Sequence, residues 1–468
     1  MIKPVILWTD ALVFLLVVIV VAFALYARRH EHLRAPWREV VKGRIAIASL
    51  VVLAFYTLTG LLDSMHYRKA LPVQNGQVEM QYAGEVVSVL DDLLGGVGTQ
   101  VEKTYSAPFA TTLYTRETVV DEKGVSRRIF PRLKYGGAHL ENPERDRAAD
   151  IARRSLKSAG QAVLVMLGLT VVLSLLLARH WTCSAREAVQ RILRGKTEVP
   201  WRTGLFTLFL FALLAALIVN LASAWHVLGT DKVGKDVLYQ TIKSIRTGLV
   251  IGTLTTLVML PFAVFLGMMA GYFRGWVDDV IQYLYTTLNS IPGVLLIAAS
   301  VLMMQVYMDT HPELFETMAE RADLRLLFLC LILGITSWTG LCRLLRGETL
   351  KLRELDYVQA ANAFGVPRLV IMVRHLLPNL MHLVLIAVVI DFSGLVLAEA
   401  VLSYVGVGVD PTTMSWGNMI NRARLEMARE PMVWWSLLAA FTFMFTLVLA
   451  ANLFSDAVRD AFDPRMRR

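Results

Sequence analysis

The chain has 468 residues, 56% of them hydrophobic and 18% charged, with a mean hydropathy of +0.53. That is too apolar for a soluble protein of this size and places the chain in a membrane. Lys and Arg number 47 against 38 Asp and Glu, a formal charge of +9; no basic-aromatic pattern points to nucleic acid, and in a membrane protein such an excess belongs in short cytoplasmic loops.

Crossing the hydrocarbon core takes roughly 20 apolar residues. Runs of that kind lie near 5–27, 45–62, 160–178, 203–223, 247–273, 280–304, 324–345, 379–403 and 433–454, which predicts nine spans. The connectors "RRHEHLRAPWREVVKGR" (28–44) and "RHWTCSAREAVQRILRGK" (179–196), and the 343–374 loop, are rich in Arg and Lys. All three are expected in the cytoplasm, with the N-terminus outside and the C-terminus inside. The first run is read as a retained span rather than a signal peptide, despite the "AFA" near residue 22. Its leading end carries only Lys3, offset by Asp10, and the positive cluster follows the apolar run.

Between the second and third spans, residues 63–159 shift to a mixed polar composition and are expected to form a small α+β periplasmic insert. "ATTLYTRETVV" and "VSRRIFPRLKY" flank the turn "DEKG" as a β-hairpin, and Asn142 with Pro143 opens a helix running towards the third span. The composition leaves open whether the insert is a structural cap or a substrate-contacting module. The three cysteines, Cys183, Cys330 and Cys342, lie outside it, so no structural disulfide is expected.

Further along, "GTDKVGK" (229–235) has the spacing of a phosphate-binding loop, but Asp236 stands where Ser or Thr is required. Its glycines and aspartate are better read as turn formers. Gly248 with Gly252, and Gly267 with Gly271, are small-xxx-small pairs that let helices approach closely. Asn289, Ser290 and Pro292 interrupt the sixth span, and a break at that depth is tolerated where the helix lines a cavity or packs on protein. Asn289 and Pro292 are therefore candidate pathway residues. So are Asp391 and Glu399, two turns apart on one face of the eighth span, where a carboxylate ordinarily faces a pore or a polar partner. For Glu399 the competing reading is an outer interface where it meets water. The nine histidines are scattered without ligand spacing, so no metal site is inferred.

Residues 352–378, "LRELDYVQAANAFGVPRLVIMVRHLLP", form a polar island between two apolar segments. Leu352, Leu355, Val358 and Phe364 recur at helical spacing, Ala360, Ala361 and Ala363 leave a low surface, and Gly365 followed by Pro367 ends one helix and starts another. This hairpin suits helix-in-groove recognition by another protein, although an amphipathic loop on the membrane surface has the same spacing.

Here "DYVQAANAFG" and "RHLLPN" resemble the EAA loop of binding-protein-dependent ABC importers of the dipeptide, oligopeptide and nickel permease family, C-type subunit. The similarity runs through "HVLGTDKVGKDV", "GMMAGYFRGWVDD", "LAEAVLSYVGVGVDPTTMSWGNM" and "RDAFDPR", in the family's order. The resemblance implies an all-α polytopic membrane protein with a six-helix permease core in the bacterial inner membrane. It also implies a B-type permease partner in a heterodimer, two ABC ATPase subunits and a periplasmic solute-binding protein. ATP and Mg would be used by the ATPases, and this chain would hold no cofactor and no catalytic residue. ATPase coupling would fall to Glu354, Asp356, Gln359, Ala360, Ala361, Phe364, Gly365 and Pro378. The family's Glu before the Ala pair and Arg after it are here Gln359 and Asn362, so Glu354 and Asp356 are expected to supply the acidic character. The domain expectation is 1–62 as two spans, 63–159 as the insert, 160–202 as a third span with its loop, and 203–468 as the permease core with the coupling loop at 343–378. A proton-coupled secondary transporter using Asp391 and Glu399 predicts internal symmetry that is not seen. A membrane sensor with the insert as receptor leaves the last six spans without a role.

Overall fold

The computed structural model describes residues 2–70, 82–120, 126–195, 197–315 and 317–462. Among them, nine helices are long and apolar enough to cross a membrane. Strand β1 (Ile2–Val5) precedes α1 (Trp8–Arg28), α2 (Glu31–Lys42) and α3 (Arg44–Asp63). The insert contains β2 (His66–Lys69), β3 (Val87–Ser88), α4 (Val89–Leu93), β4 (Glu117–Val120) and β5 (Ser126–Ile129). After it come α5 (Pro143–Trp181), α6 (Ala185–Leu193), α7 (Trp201–Ala222), α8 (Val237–Phe273), α9 (Trp276–Ser290), α10 (Gly293–Thr310) and α11 (Met318–Ser337). The chain closes with α12 (Thr339–Arg353), α13 (Asp356–Ala363), α14 (Arg368–Ile371), α15 (Leu377–Val405), α16 (Trp416–Glu426) and α17 (Trp435–Phe462).

Two compact units result. One comprises Met1–Val5, Arg38–Thr247 and Met414–Phe454, the other Ile6–Trp37, Gly248–Thr413 and Ser455–Arg468. In the first, β1 pairs antiparallel with β2, Ile2 opposite Lys69 and Val5 opposite His66. The N-terminal strand and the start of the insert therefore share one sheet. The expected hairpin forms from β4 and β5, while its turn, residues 121–124, lies outside the described residues. Pro143 opens α5 as expected, although Asn142 makes no side-chain cap. At 39 residues α5 measures about 58 Å, well beyond a hydrocarbon core of about 30 Å, so its polar first turns continue past the membrane.

A buried ion cluster ties the insert to the connector that precedes α8. The His226 ring reaches Asp236 at 2.8 Å and Glu102 at 3.3 Å, and Glu102 also accepts backbone N–H bonds from Lys134, Tyr135 and Gly136. Burial disfavours the imidazolium, but its hydrogen bonds to Asp236 and Glu102 outweigh that and raise the His226 pKa to about 9. Burial likewise opposes ionisation of Glu102, and the bonds from His226 and three backbone amides overcome it, lowering the carboxyl to about 2. The apparent phosphate loop is a turn on this cluster. Asp231 accepts from the amides of Val233 and Lys235, and Gly234 sits at φ +75, where a Cβ would lie 1.8 Å from the Glu102 carbonyl oxygen. Nearby, Lys243 of α8 joins Asp63 at 2.7 Å and Asp91 at 3.0 Å.

In the second unit, α1 docks on α11. Leu7 provides no side-chain cap for α1; instead Asp323, buried on α11, accepts from the Thr9 amide at 3.0 Å and from the Thr9 hydroxyl. Leu12 and Val13 of α1 pack on a cluster that includes Leu326, Leu329, Cys330 and Leu333. The small-residue pair Gly267 and Gly271 brings α8 against α12: added Cβ atoms would lie 2.8 Å from the Cys342 carbonyl oxygen and 2.6 Å from Thr349 Cβ.

One expectation needs correcting. The sixth apolar run does not span at 280–304; the helix ends at Ser290, Ile291 is extended, and the spanning helix is α10. A residue before proline is pushed out of the helical region, so Pro292 relocates the span. Both Arg-rich connectors are also partly helical, as α2 and α6, the second with Ala188 and Ile192 buried.

Candidate functional site

The 352–378 stretch folds as its punctuation dictates. α13 ends in a Schellman motif: Val366 N–H donates to the Ala361 carbonyl at 3.1 Å and Gly365 N–H to the Asn362 carbonyl at 3.0 Å. Gly365 adopts φ +73 with open space around it, so the backbone angle and not crowding selects glycine. Pro367 then precedes α14, and a π-helical turn at Met372–Leu376 joins α14 to α15, with Pro378 exposed in the first turn of α15. Such a turn admits an extra residue into a helix and recurs at functional sites.

What holds the hairpin is apolar. Val358 and Ile371, both 0% exposed, insert into a cluster with Tyr272, Leu341, Leu345 and Met372, and Ala361 and Val366 pack on its edge. Polar contacts brace the same end: Arg346 forms a two-pronged pair with Asp278 at 2.6 and 2.7 Å, and its hydrogen bonds hold the Asp278 carboxyl below the usual carboxylate range. Tyr272 donates to Asn362 at 2.7 Å, Arg353 donates to the Tyr272 carbonyl at 2.8 Å, and Asn379 donates to Tyr357 at 3.0 Å.

The candidate coupling residues divide accordingly. Glu354 pairs with Arg274 at 2.6 Å and accepts from Gln359 through its carbonyl at 3.1 Å; both carboxylates, Glu354 and Asp356, are exposed. Ala360 is exposed and Ala361 half-buried, while Phe364 is 87% exposed. With Leu355, Tyr357, Leu369, Val370 and Val373, Phe364 presents an apolar surface at the tip. Sequence reasoning missed Tyr272, Arg274 and Asn379, which reach into the 352–378 stretch from outside it, and the contact that Arg353 makes outward to Tyr272.

Of the pathway candidates, Asn289 and Pro292 are exposed, and Asn289 accepts from Thr339 at 3.0 Å. Asp391 is half-buried on α15. Glu399 is only 2% exposed and accepts from Ser403 at 2.7 Å, which overturns the reading that it meets water at an outer interface. Asn289 lies near the end of α9, and Asp391 and Glu399 lie on α15.

Residues 263–468, which contain the hairpin, α9 to α17 and the end of α8, match the family described as binding-protein-dependent transport system inner membrane component. Over these residues the chain resembles an ABC importer permease. The permease is similar to the glutathione transport system permease protein of Pectobacterium atrosepticum, 29% identical over 322 residues, 62% of this chain and 99% of that protein. It is also 29% identical over 242 residues to the oligopeptide transport system permease protein of Mycobacterium tuberculosis, covering 52% of this chain and 77% of that protein. The dipeptide transport system permease protein of Bacillus subtilis is 28% identical over 246 residues, 53% of this chain and 71% of its own length. The permease is thus a multi-pass inner-membrane transport subunit, and its family implies ATPase and binding-protein partners.

Proposed function

We propose that the permease forms the C-type half of a heterodimeric pore that imports peptides or similar small solutes. A B-type permease supplies the other half, two separate ATPase subunits use ATP and Mg, and a periplasmic binding protein delivers the solute. The peptide class is supported by what the similar proteins are named for. The N-terminus and the 63–159 insert face the periplasm and the C-terminus the cytoplasm, a reading supported by the Arg-rich connectors and by the pairing of β1 with β2 in one sheet.

One observation carries the coupling role: the hairpin is anchored by Val358 and Ile371 yet offers Phe364 and its apolar neighbours to solvent. A rigid lever with an exposed grip transmits a push, so closure of the ATPases moves α12 to α15 and alternates access to the pathway. Residues 343–378 act as the coupling element of a permease core at 203–468, with Glu354, Asp356, Gln359, Ala360, Ala361, Phe364, Gly365 and Pro378 at or beside the contact. Asn289, Pro292, Asp391 and Glu399 are assigned to the pathway walls or the subunit interface.

The test is Gly365→Asp and Ala361→Arg in reconstituted complexes. Both variants should reach the membrane yet lose ATPase co-purification and substrate-stimulated hydrolysis, whereas exposed Lys351→Ala changes neither. Lys351 is the control because its side chain is exposed and pairs with Glu348 of the same helix. Wild-type co-purification and hydrolysis in both variants would sink the coupling assignment.

A further inference from the structure

Helices α5 and α7 pack side by side, and a groove of about 590 Å³ opens along their contact, lined by Ala162, Leu164 and Val165 of α5 and Ala212, Ala216 and Val219 of α7. Its volume falls within the range of small-molecule sites, roughly 300–1,000 Å³. The Ser158 hydroxyl donates to the Ala216 carbonyl at 3.1 Å, which holds the two helices together beside the groove, while Leu164, Val165 and Val219, 59–70% exposed, form its rims. On α7 the lining runs from Ala212 to Asn220, about 12 Å of helix at 1.5 Å per residue. A further helix, about 10–12 Å across with its side chains, needs a broader seat than such a crevice; an extended hydrocarbon chain does not.

One end of the groove is polar. Gln161 and Asn220 line it there, and Asn220 donates to the Gln161 side-chain oxygen at 2.6 Å, so the Gln161 amide nitrogen remains as a donor at the mouth. Helix α5 carries no charge from 158 to 178 and α7 none from 203 to 222, so the nearest charges are those on the α5 turn just before Ser158. Residues seven apart lie almost on one line along a helix of 3.6 residues per turn, which puts Arg154 above Gln161 and Lys157 above Leu164. Arg154 is fixed there by Nη1, 3.3 Å from the Asn220 carbonyl oxygen. Its Nε is 2.9 Å from Asp150, and that carboxylate also meets His139 and the Trp225 indole, each at 3.0 Å. Asp150 is thus committed to partners of its own. Lys157 is exposed and has no ion pair among the described residues.

We infer that this groove holds one acyl chain of an anionic phospholipid, with the phosphate at Lys157, Arg154 and the Gln161 amide and the chain along Ala162, Val165 and Ala212. The hydrocarbon lies where both helices are uncharged, and the headgroup meets the first cations beyond it, the same order of layers that a phospholipid has in the bilayer. The chemistry is the same whichever face of the membrane this end of α5 occupies, and it draws on no partner subunit.

The probe is dioleoyl phosphatidylglycerol, titrated onto the delipidated full-length chain in detergent and counted by native mass spectrometry, with dioleoyl phosphatidylcholine as the matched zwitterionic lipid. Phosphatidylglycerol should bind at least about fivefold more tightly, and Lys157→Gln should lose about fivefold of that affinity while leaving phosphatidylcholine unchanged, as expected for one basic residue at an anionic lipid surface. Lys157→Arg should keep the preference. A phosphatidylglycerol with a photoreactive diazirine in its acyl chain should crosslink to the peptides holding Leu164 and Val219, and Ala215→Phe, which fills the groove from α7, should abolish that labelling without changing the melting temperature. Equal affinity for the two lipids, wild-type phosphatidylglycerol affinity in Lys157→Gln, or undiminished labelling in Ala215→Phe overturns the site. So does a complete complex in which Leu164 and Val219 crosslink to another protein chain instead of to lipid, because the groove is then a subunit contact.

Discussion

Raising the pH should loosen the insert from the connector that precedes α8, because His226 is charged in the fold and is held there by two carboxylates. Its pKa is raised to about 9 from an ordinary 6.5. A group whose folded pKa lies above its unfolded one contributes its full stabilisation below 6.5, and that contribution is lost as pH rises through about 9. The difference of about 2.5 units corresponds to about 3 kcal/mol, most of it gone between pH 6.5 and 9. Glu102 behaves oppositely: depressed to about 2 from 4.5, it stabilises above 4.5 and fails as pH falls through about 2. The two shifts describe partly the same ion pair, so they are not summed.

The assay is hydrogen–deuterium exchange in nanodiscs, corrected for the intrinsic pH dependence of exchange and read at the amides of Lys134, Tyr135 and Gly136 that donate to Glu102. Protection there should drop close to a hundredfold between pH 6.5 and 9, and Glu102→Gln should lower protection at pH 6.5 while flattening the slope. Unchanged protection across that window, or a wild-type slope in Glu102→Gln, would refute the argument.

Three further outcomes are expected. Replacing Asp323 with Ala removes the distant cap of α1 and should lower the melting temperature of the detergent-solubilised chain by an amount matching about 1–2 kcal/mol; Asp323→Asn, which keeps one acceptor oxygen, should recover much of it, and equal melting of all three proteins contradicts the docking role. Asp391→Leu should favour membrane insertion, since a carboxylate at a helix centre costs about 2.5–3.5 kcal/mol on insertion scales, yet impair uptake; normal uptake would mean that the carboxylate is merely tolerated. In a Cys183→Ser background, a membrane-impermeant thiol reagent applied to intact cells should label Arg127→Cys and spare Arg34→Cys and Gln190→Cys, and the reverse pattern inverts the topology.

The spans were legible because about 20 apolar residues have few other fates, and the hairpin because Gly365 and Pro367 act on the local backbone whatever surrounds them. The displaced sixth span shows the limit of a hydropathy window: Leu284, Leu288 and Ile291 lie in the apolar run, but Pro292 ends helix α9 before they can share a span with Val301. Periodicity also could not rank the hairpin's apolar residues. Val358 and Phe364 are both large, apolar and helically spaced, yet one is 0% and the other 87% exposed, because only Val358 meets α8 and α12 side chains.

The least legible features are pairings between distant polar residues. Glu102 meets His226 across 124 positions and Asp323 meets Thr9 across 314, and neither pair has any local pattern that selects its partner. They join parts of the chain that hydropathy reads as separate: Asp323 lies within the 263–468 family region and Thr9 far outside it, while Glu102 belongs to the insert and His226 to the connector before α8. Burying a carboxylate is expensive unless a partner is held in place to satisfy it, so each pairing makes one segment's fold conditional on the other's. The Asp323–Thr9 pair makes part of the family region depend on α1, and removing α1 should take the Thr9 donors from a buried carboxylate.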